Sequence, residues 1–91
     1  MLKNRNMTET HNGWRNYYTW AVYTNITSYE WLYNKYNNMV EIIDVEGFKQ
    51  VIRQDIKAGY FLDLHGLNNL EIEAIMEVLD IKAIYNTIKG L

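Results

Sequence analysis

Apolar residues recur at steps of three and four along most of this chain, the spacing of side chains on one face of an α-helix. The first run follows Asn16, whose side chain suits a helix N-cap, and it predicts a short helix. The inward face of that helix is expected to hold Tyr17, Trp20, Ala21 and Thr24. Residues 1–13 show no period and end in the turn-forming pair Asn12-Gly13, so we expect a flexible lead-in before a domain of residues 14–91.

The longest periodic run predicts a second helix over residues 28–43, capped at Thr27-Ser28. Its apolar repeat consists of Tyr29, Leu32, Tyr33, Tyr36, Val40 and Ile43. A third helix is predicted from Asp44 as N-cap to Gly59, a residue type that commonly ends helices in a left-handed turn. Its inward residues are expected to be Val45, Phe48, Val51, Ile52 and Ile56, with Lys49, Arg53 and Lys57 facing water.

Two further helices are predicted after a connecting segment. Residues 60–67 alternate apolar and polar side chains, but no second strand exists to pair with them, so we predict a buried loop. Asn68 and Glu71 match a capping box that opens the fourth helix, and Asp80 is predicted to cap a fifth helix ending at Gly90. The expected inward residues are Leu70, Ala74, Ile75, Val78 and Leu79 in the fourth helix, and Ile81, Ile84, Tyr85 and Ile88 in the fifth. The pattern predicts an all-α, bundle-like single domain of about five short helices.

Composition argues for binding rather than chemistry. The chain of 91 residues has no cysteine, which removes disulfides and thiolate metal sites, and its two histidines, His11 and His65, stand apart from other ligands in the sequence. We therefore predict no catalytic residues, no metal and no cofactor. The polar N-terminus has no signal-peptide core and no apolar run is long enough for a membrane span, so we expect a cytoplasmic protein.

The charge balance favours protein partners. Net charge is −2, with four basic and two acidic residues in 1–40 against five basic and nine acidic residues in 41–91. This is far from the basic balance of a dedicated nucleic-acid binder, so direct nucleic-acid binding is disfavoured. It stays open as an alternative because rings and cations are mixed near the N-terminus and in the second helix. The residues concerned are Trp14, Arg15, Tyr17, Tyr18 and Lys35.

Nine of the thirteen aromatic residues lie between Trp14 and Tyr36, which is more aromatic surface than one short segment can bury. If the periodic positions form the core, the rings left on other faces are Trp14, Tyr18, Tyr23 and Trp31. Rings beside arginine are common interface anchors, so we predict partner binding by these rings and Arg15. The acidic side chains expected to meet a basic groove on the partner are Glu71, Glu73 and Glu77. The alternatives are that the rings fill the core or that they support a homodimer.

The segment Asn12–Val22, with the sequence NGWRNYYTWAV, resembles a pattern, NGxxNYxTWxV, that opens many small uncharacterised proteins of bacteriophages and mobile elements. Those proteins usually carry an acidic residue where this chain has Tyr18, and a longer acidic loop after the first helix. The resemblance implies a phage or plasmid accessory protein, a group that contains many inhibitors of host defence, and it supplies no catalytic residues.

The expected function is therefore a protein-binding inhibitor of the anti-CRISPR or anti-restriction type, acting in the cytoplasm of the host cell. It would dock on a host protein that handles nucleic acid, such as a CRISPR effector or a restriction complex. Two alternatives remain: a small nucleic-acid-binding regulator, and a structural phage protein that self-associates through its rings.

Overall fold

A computed structural model of the protein describes residues 10–90, which form five α-helices and one 3₁₀ turn. The helices are α1 (Tyr17–Ser28), α2 (Glu30–Met39), α3 (Val45–Lys57), α4 (Asn69–Val78) and α5 (Ile81–Lys89), and the 3₁₀ turn is Leu62–Leu64. These described residues contain no β-sheet, which confirms the all-α prediction. Most of the predicted lead-in, residues 1–9, lies outside them. No helix within residues 10–90 has the length and apolar character needed to cross a membrane.

Side-chain caps fix where α1, α3, α4 and α5 begin. Asn16, Asp44, Asn68 and Asp80 each accept a hydrogen bond from the backbone N–H three residues further on. Glu71 completes the capping box by accepting a bond from the backbone N–H of Asn68. All four starts are the predicted ones, because a cap is a local interaction that the sequence carries by itself.

The second helix is shorter than predicted, and α3 is the longest helix of residues 10–90. The start of α2 differs from the prediction because the Thr27 hydroxyl donates back to the carbonyl of Tyr23 and α1 continues through Ser28. Its end differs because the hydroxyl of Tyr85 donates to the carbonyls of Val40 and Ile43, at 3.2 and 2.7 Å. These tertiary bonds satisfy two carbonyls that lie beyond the last hydrogen bonds within the helix.

The core draws apolar side chains from every helix, and α5 contacts α1, α2 and α3. Phe48 lies edge-on to both Tyr36 and Tyr85, with ring centroids 5.5 and 5.2 Å apart. The predicted inward face of α5 is confirmed, since all four of its apolar residues are buried. In α3 the inward residues are buried or half-buried as predicted, and Lys57 is exposed.

The buried faces of α1 and α4 differ from the prediction. In α1 the buried residues are Tyr18, Thr19, Ala21, Val22, Asn25 and Ile26, whereas Tyr17, Trp20 and Thr24 are only half-buried. Two of the buried positions are polar, so apolar spacing alone indicated the wrong face. In α4, Leu70 is 84% exposed, because it lies about 200° around the helix from Ile72, which packs inward with Ile75 and Met76. The predicted buried loop over residues 60–67 buries only Phe61 and Leu64.

A buried polar network ties the start of α1 to the joint between α4 and α5. Asn16 is 1% exposed, accepts bonds from the N–H and hydroxyl of Thr19, both at 2.9 Å, and donates to the Val78 carbonyl at 2.6 Å. The Thr19 hydroxyl in turn accepts a bond from the backbone N–H of Asp80 at 3.0 Å. Asn16 and Thr19, two polar positions of the N-terminal pattern, therefore bind the start of α1 to the joint between α4 and α5.

Asn12-Gly13 forms a tight turn in which both residues have positive φ, 48° and 84°. Asn and Gly are the residues best suited to such a turn, and it lets His11 and Trp14 exchange backbone hydrogen bonds of 3.0 and 2.8 Å. The His11 ring packs edge-on against Tyr17 and Trp20, with centroid distances of 5.2 and 4.6 Å. Residues 11–14 therefore cover part of the outer face of α1.

Asn16→Ala is expected to lower the free energy of unfolding by about 2 to 3 kcal/mol, because it removes a buried cap and leaves the half-buried Val78 carbonyl without its donor. Asn68→Ala is the matched control, since Asn68 is an exposed cap, and should cost about 1 kcal/mol. Urea denaturation followed by circular dichroism measures both variants. Equal losses would show that the bond to Val78 adds nothing.

Candidate protein-binding surface

The structure places the predicted binding residues in different environments instead of on one surface. Tyr18 is 2% exposed and belongs to the core, contrary to the prediction, because the buried face of α1 is rotated toward it. Trp14 and Tyr23 are half-buried and face one another, with ring centroids 4.6 Å apart. Arg15 is exposed and pairs with Asp80 at 3.3 Å. Of the predicted rings, Trp31 is the most exposed, at 53%.

Two of the three predicted acidic contacts are engaged within the chain. The carboxylate of Glu71 accepts the capping-box bond from Asn68 at 3.0 Å. Both oxygens of Glu73 accept bonds from the guanidinium of Arg53, at 2.9 and 3.1 Å, which joins α4 to α3. Glu77 is exposed on α4. The acidic face available to a partner is therefore smaller than the sequence predicted.

Trp31 belongs to an apolar surface that the sequence did not predict. A shallow cavity of about 220 Å³ is lined by Tyr29, Trp31, Gly59, Tyr60 and Leu62, which we call the Trp31 surface. Its four side chains are all exposed, from 38% for Tyr29 to 63% for Leu62. The Trp31 and Tyr60 rings meet edge-on, with centroids 5.1 Å apart and planes at 84°. Exposed rings grouped in this way are typical of an interaction site.

Buried polar groups hold the backbone of this surface in place. Gly59 has a φ of 80°, which a glycine adopts without strain, and the N–H of Tyr60 donates to the Asp55 carbonyl at 3.0 Å. The N–H of Leu62 donates to the side-chain oxygen of Asn25 at 3.0 Å, and Asn25 donates in turn to Asp63 at 2.7 Å. A loop fixed at several points loses little conformational entropy when a partner covers it.

Beneath the surface lies a cluster of Lys35, Tyr36 and Asp55. Asp55 is 4% exposed, and the Lys35 ammonium donates to its two oxygens at 2.9 and 2.8 Å. The Tyr36 hydroxyl donates to the same carboxylate at 2.5 Å. The Lys35 ammonium also lies 5.4 Å from the centroid of the Tyr60 ring, within cation–π range. The cluster thus connects the core to one wall of the Trp31 surface.

The environment of Tyr36 keeps its phenol protonated. Burial raises the pKa of Tyr36 far above its ordinary value of 10.0, and the hydrogen bond and negative charge of Asp55 raise it further. Loss of the proton would place a second negative charge beside a buried carboxylate. Tyr36 therefore acts as a fixed hydrogen-bond donor.

Sequence reasoning missed Asp55, Tyr60 and Leu62. A signal for Asp55 was present, because it stands three residues after Ile52 and next to Ile56, on the apolar stripe of α3. An ionisable residue on an inward stripe requires a partner, and the structure shows that this partner is Lys35. Tyr60 and Leu62 carried no such signal, because the sequence predicts a buried connecting loop over residues 60–67 and does not indicate which of its apolar side chains face water.

The residues of the nucleic-acid alternative are also separated. Arg15 pairs with Asp80 and Lys35 with Asp55, and Tyr18 is buried. Cations already paired within the chain release fewer counterions from a phosphate backbone. The geometry therefore lends this alternative less support than the sequence did.

The two histidines have packing roles. His11 lies against α1, and His65 covers Gly59, with its ring 3.3 Å from the place where a Cβ on that glycine would stand. Asp63, the carboxylate nearest to His65 in the sequence, bonds to Asn25. Within residues 10–90, no three His, Cys, Asp or Glu side chains are grouped as a metal ion would require.

A second groove, of about 570 Å³, lies between the start of α3 and the joint of α4 and α5. Charges of both signs line it, with Glu46 and Glu77 beside Lys49 and Lys82. Its mixed rim favours no particular class of ligand.

Comparisons with family models, curated proteins and solved structures found no match for this chain.

Replacing Tyr36 with Phe is expected to make the alkaline loss of stability less steep. Below pH 10 the phenol is protonated in both the folded and the unfolded chain, whereas above pH 10 only the unfolded chain releases the proton, so stability falls. Without that proton the slope should decrease by up to about 1.4 kcal/mol per pH unit. Urea denaturation of both proteins between pH 9 and 11.5 measures the difference. Parallel curves would contradict the raised pKa.

Proposed function

We propose that this protein is a small binding domain that docks on another protein through the Trp31 surface and blocks it, with no catalytic chemistry of its own. The observation that carries this proposal is that Trp31 of α2 is grouped with Tyr60 and Leu62, with exposed fractions of 53%, 42% and 63%. The segment that carries Tyr60 and Leu62 is held by hydrogen bonds to Asp55 and Asn25. Trp and Tyr at the centre of an interface each contribute on the order of 2 kcal/mol or more when a partner covers them.

The proposed partner is a host protein that handles nucleic acid, such as a CRISPR effector or a restriction complex. The resemblance of the N-terminal segment to phage and mobile-element proteins supports this choice. Nine acidic residues in positions 41–91, against five basic ones, also suit a partner with a basic surface. The proposed site of action is the cytoplasm of the host cell.

Trp31 and Leu62 can be tested directly, because replacing an exposed side chain can change binding without changing the fold. Trp31→Ala and Leu62→Ala should leave the fold intact, and Ile42→Ala is a matched control for the loss of an exposed apolar side chain. Ile42 is 82% exposed and lies just after the C-terminus of α2, whereas Trp31 lies in the first turn of that helix. Thermal unfolding of the three variants should agree within a few degrees.

The functional test uses bacterial strains that each carry one defined CRISPR or restriction system and are infected by a phage which that system attacks. Expression of the protein should raise the plating efficiency at least tenfold in one strain. The Ile42 variant should keep this effect, and the Trp31 and Leu62 variants should lose most of it. Protection that survives in both surface variants would exclude the Trp31 surface as the docking site.

No protection in any strain would contradict the inhibitor proposal, and two measurements then separate the alternatives. Titration with labelled single- and double-stranded DNA at two salt concentrations detects a nucleic-acid-binding regulator. Sedimentation over a concentration series detects self-association through the rings.

A further inference from the structure

We propose that the Trp31 surface binds the guanidinium of an arginine side chain supplied by the partner protein. The inference rests on the proposed function, since it names the group that the docking surface would recognise. It is carried by the aromatic composition of the cavity, by the Lys35 ammonium, which already contacts one of its rings, and by the charges of residues next to the lining residues in the sequence.

The cavity presents three aromatic rings around a glycine. Trp31 and Tyr60 stand at 84° to each other, as two adjacent walls, while Tyr29 lines the same cavity and Gly59 contributes no side chain. The faces of such rings carry negative partial charge and attract cations. Arginine suits this shape better than lysine, because its planar guanidinium is weakly hydrated and stacks on aromatic rings.

The chain itself already uses Tyr60 to hold a cation. The Lys35 ammonium lies 5.4 Å from the Tyr60 centroid, within the range in which the ring attracts positive charge. Its own charge is balanced by the two bonds to Asp55, at 2.9 and 2.8 Å, so it offers little repulsion to a second cation at the cavity. The contact therefore shows that the ring of Tyr60 is placed to accept a cation.

The residues beside the cavity favour a positive ligand. Glu30 lies between Tyr29 and Trp31, Asp63 follows Leu62, and both carboxylate residues are exposed. Lys57, also exposed, is the nearest cation before Gly59 in the sequence. These sequence neighbours, two carboxylates against one lysine, carry a net negative charge that favours a guanidinium, although one oxygen of Asp63 accepts a bond from Asn25.

An arginine ligand also fits the proposed partner. Proteins that handle nucleic acid present arginine to phosphate groups, because the guanidinium matches their geometry. A docking surface that holds one of these side chains removes a phosphate contact from the partner. Recognition and inhibition would then depend on the same side chain.

The test follows backbone and indole N–H signals of the full-length protein by NMR during titration with N-acetyl-arginine methylamide. Saturable shifts should centre on Trp31 and Tyr60. N-acetyl-norleucine methylamide, which has a similar apolar stem and no charge, should bind about threefold to fivefold more weakly. Trp31→Leu keeps an apolar side chain but removes the indole ring, so it should abolish the preference for arginine. Leu70→Ala, at an exposed residue outside the cavity lining, should change nothing.

Equal binding of the norleucine compound, a preference for arginine that survives in Trp31→Leu, or binding of tetramethylammonium without binding of arginine would each overturn the proposal. An unchanged spectrum outside the substituted region shows that Trp31→Leu is folded. Failure here is distinguishable from failure of the proposed function. If the partner supplies an apolar side chain and not an arginine, phage protection will still depend on Trp31. If the Trp31 surface is not the docking site, phage protection will not depend on Trp31.

Discussion

The buried carboxylate of Asp55 imposes the constraint on which both the core and the exposed surface depend. A carboxylate at 4% exposure needs a positive partner and hydrogen-bond donors. The Lys35 ammonium supplies the positive charge, the Tyr36 hydroxyl supplies a further donor, and both residues come from one turn of α2. Their bonds join α2 to α3. Removing one partner of such a pair costs several kcal/mol, because the other charge stays buried. The backbone carbonyl of Asp55 also holds Tyr60, so the docking surface is built on the same residue.

A second polar network has a similar effect at the other end of the molecule. Asn16 and Thr19 bind the joint between α4 and α5, and Arg15 pairs with Asp80 in the same region. Apolar packing alone tolerates several arrangements of short helices, whereas a buried donor is satisfied in only one of them. Without a disulfide, these two networks fix the helices at both ends of a small core.

Local interactions explain what the sequence predicted well. The caps at Asp44 and Asn68 and the apolar stripe of α5 each lie within one helix, and all of them agree with the structure. The differences arise where a distant residue intervenes. The Tyr85 hydroxyl, from α5, donates to the carbonyl of Ile43, just after α2. In α1, the buried Asn25 accepts a bond from the N–H of Leu62, and the buried Thr19 accepts one from the N–H of Asp80. The Trp31 surface depends on the contact of Trp31 with Tyr60, which no periodicity reveals. The exposure of Trp31 was predictable, but its neighbours were not.

The exposed rings are not required by packing. The fully buried aromatic side chains are Tyr36, Phe48 and Phe61, and the rest of the fully buried apolar core is aliphatic, chiefly isoleucine. A contact between two rings in water, such as that of Trp31 with Tyr60, contributes on the order of 1 kcal/mol beyond the area it buries. That gain does not require either ring to be large or half-exposed, since a leucine pair could close the same gap. Rigid rings on a helix and on a fixed loop, as Trp31 and Tyr60 are, are favoured where a partner covers them, because the entropy of ordering them has been lost before binding.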